Sequence, residues 1–273
     1  MSYEYIRYPV PLGADSIITF TTDFGLRDPY VAEMKGVILS GAPMVKLIDI
    51  THSIPPGDIL ACALTLERAV SCYPPGTIHL VVVDPGVGSE RRPIAVISSS
   101  QIFVGPDNGF ATLAINESDY KAYLIENVRA PSGRVSHTFH GRDIFAPACV
   151  HLARGGRLSD LGEEIEDIVK IDVRKPEVSV DEVKGEVIYV DHFGNLITNI
   201  REGDIKGLDR GRWVVRVGRK WIKGIRRYYS EVEEGDIIAL IGSSGRLEIA
   251  VRGKNAEQVL GISPGNSVVV CRL

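Results

Sequence analysis

What most limits the fold of this chain is a change of texture near residue 172. Before that point, short β-branched runs alternate with stretches whose apolar residues recur at helical spacing. After it come short strands separated by glycine, proline and serine turn signals, with a single helical exception. Alternating strands and helices predict an α/β domain with a largely parallel sheet. Closely spaced short strands predict a small antiparallel β-barrel. The boundaries follow: an N-terminal extension over 1–16, the α/β domain over 17–174, a linker over 175–184 and the barrel domain over 185–273. The run Val173-Arg174-Lys175-Pro176-Glu177 reads as the polar connection.

The first strand, 17–22, ends at Asp23-Phe24-Gly25. A helix should follow with Asp28 as N-cap and Pro29 in its first position, its apolar residues Tyr30, Val31, Met34, Val37 and Ile38 falling on one face. A second strand at 45–50 leads to a helix started by Asp58, and the nearly all-apolar run 77–83 suits a strand covered on both faces. Strands at 94–97 and 102–104 and a helix over 143–153 complete the domain. Beyond the break, strands are expected at 185–190, 213–217, 236–241, 247–251 and 267–271, and a helix at 255–260.

Composition narrows the class of function. Lys plus Arg number 31 against 35 Asp plus Glu, a net charge of −4. No nucleic-acid partner is expected from so balanced a chain. No apolar run is long enough to span a membrane, and the first residues lack a basic start leading into an apolar stretch, so neither a membrane partner nor a secretory signal is expected. The scattered Cys62, Cys72, Cys149 and Cys271 form no Cys-x-x-Cys pair and read as apolar fillers in a reducing cytoplasm.

In open α/β sheets ligands bind beyond the carboxyl ends of the strands. Three polar clusters stand there: Thr22-Asp23-Phe24-Gly25, Asp49-Ile50-Thr51-His52 and Asp84-Pro85-Gly86-Val87-Gly88. The Asp23-Phe24-Gly25 triplet is not a kinase signature, because no glycine-rich loop and strand lysine precede it. Gly86-Val87-Gly88 is followed by a strand rather than a helix, which excludes a dinucleotide fingerprint, and no phosphate-loop lysine motif occurs. His137 and His140 lack a third metal-ligand motif, so no metal and no cofactor is expected. His52, His79, His151 and His192 read as hydrogen-bonded structural histidines. By spacing alone, Asp84 and Arg91 fit either a surface ion pair or a functional one. The stretches 191–195 and 242–245 read first as turns.

Seven motifs stand in order: Thr21-Thr22-Asp23-Phe24-Gly25, Asp49-Ile50-Thr51-His52, Val83-Asp84-Pro85-Gly86-Val87-Gly88, Gly105-Pro106-Asp107-Asn108-Gly109, Thr138-Phe139-His140-Gly141-Arg142-Asp143, Asp191-His192-Phe193-Gly194-Asn195 and Ser243-Ser244-Gly245-Arg246-Leu247-Glu248-Ile249-Ala250. Taken together, they resemble those of the S-adenosylmethionine hydrolases, also called hydroxide adenosyltransferases, relatives of the fluorinase and chlorinase. The resemblance runs from about residue 17 to the C-terminus. It implies an α/β domain followed by a β-barrel, and hydrolysis of S-adenosyl-L-methionine to adenosine and L-methionine without a metal, with preference for the (R)-sulfonium epimer. It further implies a homotrimer whose active sites lie between the N-terminal domain of one subunit and the C-terminal domain of the next.

The family's catalytic triad matches Asp84, Arg91 and His140. Substrate-binding roles fall by the same match to Asp23, Thr138, Phe139, Asp191, Phe193, Asn195, Ser243, Ser244, Glu248 and Val251, the last through its backbone. In the fluorinase, tyrosine stands at the place of Asp84 and Tyr-Ser at that of His140-Gly141. A carboxylate where a halide must approach disfavours halogenation. A non-catalytic adenosine or S-adenosylmethionine sensor would need the binding residues without the triad.

Overall fold

The computed structural model describes residues 16–205 and 213–272. The chain divides after Ile171 into two compact units.

In the first unit, β1 (Ile17–Thr22), α1 (Tyr30–Gly41), β2 (Lys46–Thr51), α2 (Ile59–Ala69), β3 (Ile78–Val82), β4 (Pro93–Ser98), β5 (Gln101–Pro106), β6 (Tyr120–Leu124), α3 (Ala146–Ala153) and β7 (Glu164–Ile165) follow in order. The sheet order is β2-β1-β3-β5-β4-β6-β7. Helical crossovers make β1, β2 and β3 parallel, and β5 adds to β3 in the same sense. Their carboxyl ends therefore share one edge, where Asp23, His52 and Asp84 emerge.

The expectation of a largely parallel sheet needs correction. Strands β4, β6 and β7 run antiparallel to their neighbours, so the sheet is mixed. Only Ser99 and Ser100 join β4 to β5, both at positive φ (47° and 65°). A two-residue link permits only a hairpin. Serine there is a weak turn signal beside Asn-Gly, which is why the reversal is hard to read from the chain. Strand β6 was not among the expected strands.

Helix α1 begins one residue later than expected. Pro29 occupies the N-cap, no side chain caps the helix, and Asp28 plays no such part. Pro29 has a φ of −77° and a ψ near 0°, outside helical geometry, so the first helical residue is Tyr30. Asp58 does cap α2, its carboxylate accepting from the Ala61 amide at 2.9 Å. Met34 and Ile38 of α1 and Cys149 and Leu152 of α3 pack with Ile18, Phe20 and Leu80 of the sheet in one apolar core. Full burial of each such side chain stabilises by about 1.5–3 kcal/mol.

The second unit contains β8 (Glu177–Val178), β9 (Glu182–Val190), β10 (Leu196–Arg201), β11 (Trp213–Val217), β12 (Lys220–Lys223), β13 (Ile237–Ile241), β14 (Arg246–Val251), α4 (Ala256–Leu260) and β15 (Ser267–Arg272). Strands pair antiparallel in the order β12-β11-β15-β9-β10-β14-β13, with β8 joining β9. The end strands curl toward each other, and the Arg226 amide after β12 donates to Ala239 in β13 at 2.8 Å, so the sheet is nearly closed. Strands β10 and β12 were not anticipated, and the stretch expected as a linker supplies β8. Gly185 in β9 lets β10 cross closely, since a Cβ there would lie 2.2 Å from Asn199 Oδ1. No helix among the described residues is long and apolar enough to cross a membrane.

Candidate active site

The expected site residues fall into two groups, one in each unit. In the first unit, Asp84 lies just past the end of β3, and the loop 84–91 folds back so that Arg91 grips it. Arg91 Nε donates to Asp84 Oδ1 at 3.0 Å, and Arg91 Nη2 donates to Asp84 Oδ2. The side chains are only 9% and 5% exposed, so this is a buried pair rather than a surface one. The Phe145 ring lies 5.3 Å from the guanidinium carbon and supports it from the α3 side. Arg92 turns the other way to Asp107, at 2.8 Å from Nε, while Asn108 Nδ2 donates to Val83 O at 2.9 Å and fixes the end of β3. The Gly105–Gly109 motif thus holds the strand end that presents Asp84.

His140 completes the cluster. Arg91 Nη2 donates to His140 Nδ1 at 2.7 Å. A guanidinium never accepts, so Nδ1 is the acceptor and the neutral ring carries its proton on Nε2. Burial, and then the charge of Arg91, push the His140 pKa below its ordinary value. Arg91 Nη1 is buried and has no hydrogen-bond partner among the described residues.

Three loops interlock around this triad. Gly88, at φ +76°, packs against the His137 carbonyl so closely that a Cβ would lie 2.3 Å from its oxygen. Asp23 Oδ2 accepts from the Gly57 amide at 2.9 Å, and Gly57 in turn faces Pro85. Phe24 and Phe139 meet edge-on with centroids 6.0 Å apart, tying the Asp23 loop to the His140 loop. The Asp23 loop is thereby tied to the loops that carry Asp84 and His140. Phe139 is 7% exposed and belongs to the core, so its ring is a wall of this region, while Thr138 is exposed on the loop before His140. His52 is buried, with Nδ1 2.9 Å from Thr22 Oγ1 and Nε2 3.0 Å from Asp49 Oδ1. It supports the ends of β1 and β2.

In the second unit, residues 191–195 form the tip between β9 and β10. Asp191 Oδ1 accepts from the amides of Phe193 and Asn195 at 2.9 and 2.8 Å, and its Oδ2 accepts from Asn195 Nδ2 at 3.0 Å. One carboxylate thus ties the tip together, and Phe193 stands 74% exposed on it. His192 is exposed beside it, against the expectation of a structural histidine. Ser243 and Ser244 lie in the turn between β13 and β14, closed by Gly245 N to Gly242 O at 2.9 Å.

Glu248 in β14 is 6% exposed. It accepts from Tyr229 Oη at 2.5 Å, and a Cβ on Gly242 would lie 2.5 Å from its Oε2. Burial first, then the Glu248 and Asp191 charges, raise the Tyr229 pKa. Asp191, Glu248 and the Ser243–Ser244 turn are therefore neighbours. Val251 is buried at the end of β14, with its carbonyl accepting from Lys254 N at 3.0 Å. Tyr229 was missed, because nothing in the run Arg226-Arg227-Tyr228-Tyr229 shows which carboxylate its hydroxyl reaches.

The model of the SAM hydroxide adenosyltransferase N-terminal domain matches residues 18–162, and that of the C-terminal domain matches residues 185–269. An (R)-S-adenosyl-L-methionine hydrolase from Thermus thermophilus is 39% identical over 259 residues, covering 92% of this chain and 98% of its own. A fluorinase from Actinoplanes sp. is 30% identical over 225 residues, covering 72% of this chain and 76% of its own. The crystal structure of an uncharacterized conserved protein from Thermotoga maritima matches with a TM-score of 0.86 at 38% identity, over 93% of this chain and 100% of that one.

Proposed function

Because the chain belongs to the SAM hydroxide adenosyltransferase family, we propose that it hydrolyses S-adenosyl-L-methionine to adenosine and L-methionine, preferring the (R)-sulfonium epimer. The observation that carries the reading is the buried, hydrogen-bonded Asp84–Arg91–His140 cluster at the carboxyl edge of the parallel strands.

The chemistry matches what these groups supply. Methionine leaves a sulfonium as a neutral thioether, so the leaving group needs no acid. The demand falls on the nucleophile: a water must lie in line with ribose C5′ and give up a proton. A C5′–O bond forms, the C5′–S bond breaks with its electron pair going to sulfur, and the proton passes to a base. Arg91 holds Asp84 and His140 in one plane of hydrogen bonds, and its Nη1 is a buried donor with no partner among the described residues, suited to fixing the water. His140 Nδ1 is occupied by Arg91, so His140 serves as a hydrogen-bond donor through Nε2. Asp84 then takes the proton, since each carboxylate oxygen retains a lone pair beyond its bond to Arg91. A positioned base contributes about 10²–10⁴-fold, and in-line orientation adds further.

The binding roles are part of the same proposal. Asp23 receives the ribose diol. Asn195 and Phe193 serve the adenine or methionine end, with Asp191, Ser243, Ser244, Glu248 and the Val251 backbone around them, and Thr138 and Phe139 line the His140 side. A homotrimer that joins the N-terminal domain of one subunit to the C-terminal domain of the next accompanies this reading; light scattering at the trimer mass is the expected result. The carboxylate of Asp84 opposes a halide-using reaction.

The test is chromatography of S-adenosylmethionine epimeric at sulfur, incubated with the protein with and without chloride. Adenosine and methionine are expected in both, with the (S)-epimer left behind. A 5′-halo-5′-deoxyadenosine would overturn the assignment of Asp84, and bound ligand without product would leave a sensor. His140→Ala is expected to lower kcat by about 10²-fold with KM little changed; an unchanged kcat removes His140 from the mechanism.

A further inference from the structure

The His140 ring meets Arg91 only if the loop that carries it is held at the correct height and rotation. That loop is bracketed by a carboxylate that the chemistry above does not use. Asp143 is fully buried. Its Oδ2 accepts from the Ser136 amide at 2.8 Å, closing the span 136–143 that contains His140. Arg142 donates to the same carboxylate twice, from Nε to Oδ1 at 2.8 Å and from Nη2 to Oδ2 at 3.0 Å.

The remaining arm of Arg142 anchors this pair to the scaffold. Its Nη1 donates to Glu33 Oε2 of α1 at 2.9 Å, and its guanidinium carbon lies 5.1 Å from the centre of the Phe139 ring. Burial alone raises the Asp143 carboxyl, but the Arg142 guanidinium and the Ser136 amide outweigh it and hold it below the usual range. A buried carboxylate is costly unless paired and fully hydrogen-bonded, and here every bond it makes converges on the residues flanking His140.

The backbone adds a second observation. The turn after His140, Gly141–Phe145, is π-helical, and Asp143 is its middle residue. One extra residue per turn rotates what precedes it by roughly 100° relative to α3. Gly141, the first residue of this turn, lies close under α1, where a Cβ would be 2.8 Å from Met34 Sδ.

We infer that Asp143, gripped by Arg142, is a positioning residue that aims the His140 imidazole at Arg91. The inference rests on the triad reading above. Asp143→Asn keeps the size and removes the charge. It is expected to lower kcat about 10- to 100-fold, the scale of a small misplacement of a catalytic group, with KM nearly unchanged. In a His140→Ala background the same substitution should lower kcat no further, because its effect passes through the missing ring. An equal loss in both backgrounds overturns the inference.

A second readout is independent of turnover. In protein labelled with ¹⁵N-histidine, His140 is identified by its absence in His140→Ala. Its ring nitrogens should report the Nε2–H form in the parent and mixed tautomers in Asp143→Asn. The charges that act on this ring are those of Arg91, which touches it, and of Asp84, His137 and Asp143. Ring shifts unchanged in Asp143→Asn overturn the inference. Should the parent release no adenosine, the hydrolase reading fails while the nitrogen shifts still decide the role of Asp143. Arg142→Lys, which keeps the charge and loses the fork, carries the same cycle if Asp143→Asn does not fold.

Discussion

At Arg91 one guanidinium satisfies two partners with a single nitrogen. Nη2 sends one proton to Asp84 and the other to His140 Nδ1, while Nε completes the fork on Asp84. Lysine cannot reproduce this planar fork. Arg91→Lys is therefore expected to lower kcat about 10²-fold, measured by adenosine release at saturating substrate, and the parent value in that variant would show that charge alone suffices. The same contact sets a pH dependence. Protonating His140 removes the acceptor for Nη2 and places two cations in contact. Because burial and Arg91 both depress the His140 pKa, activity should fall on the acid side only below the ordinary histidine value of about 6.5. A kcat profile that bends above pH 7 on its acid limb contradicts this. The residue types at 84, 91 and 140 were legible in the chain, whereas the donor and acceptor roles depend on which nitrogen faces which oxygen.

Among the elements, the loops at the carboxyl edge matter more than the strands that carry them. Gly88 lies at φ +76° and abuts the His137 carbonyl, so the loop 84–91 and the loop 136–140 meet through backbone as well as through the Arg91–His140 hydrogen bond. Gly88→Ala adds a Cβ 2.3 Å from that oxygen and strains a left-handed position as well. It should push the loops apart, reducing kcat more than it reduces Tm; thermal unfolding and turnover measured together check this, and parent turnover would show that the loops tolerate separation. Helical runs and the apolar strand β3 were readable because each depends on its own periodicity. The antiparallel run of β4 was not, because strand direction depends on a two-serine turn and on the neighbour it finds. Asp28 failed as a cap for a similar reason: Pro29 beside it already occupies the N-cap position.

For the molecule as a whole, acid stability is written into a buried network between neighbouring strands of the first sheet. His79 is fully buried, with Nδ1 2.8 Å from Thr19 Oγ1, Nε2 3.3 Å from Gln101 Oε1 and the Phe103 ring stacked at 5.2 Å. Desolvation pushes its pKa down to about 4. The folded state thus binds this proton less readily than the unfolded chain, so stability is full above about pH 6.5 and declines as pH falls toward 4. The loss is on the order of 3 kcal/mol over that window. Urea unfolding at pH 7 and pH 4.5 measures it, and equal midpoints would contradict the burial of a neutral His79. Asp49 and Asp143, whose pKa values are depressed below 3.8, release their contributions only at lower pH.

By itself the chain determined the alternation of strands and helices from β1 to β5, the change of texture near residue 172, and the chemical groups available at the strand ends. These depend on residues a few positions apart, where periodicity, turn chemistry and short motifs act. Only the tertiary structure decided that Asp84 and Arg91 are buried together, that His140 accepts from Arg91, that Tyr229 reaches Glu248 and that Asp143 braces the loop of His140. Those facts join residues brought together by sheet pairing and helix packing. Hydrogen bonds and desolvation fall off within a few ångströms, so their outcome is set by distances in space that no spacing along the chain encodes.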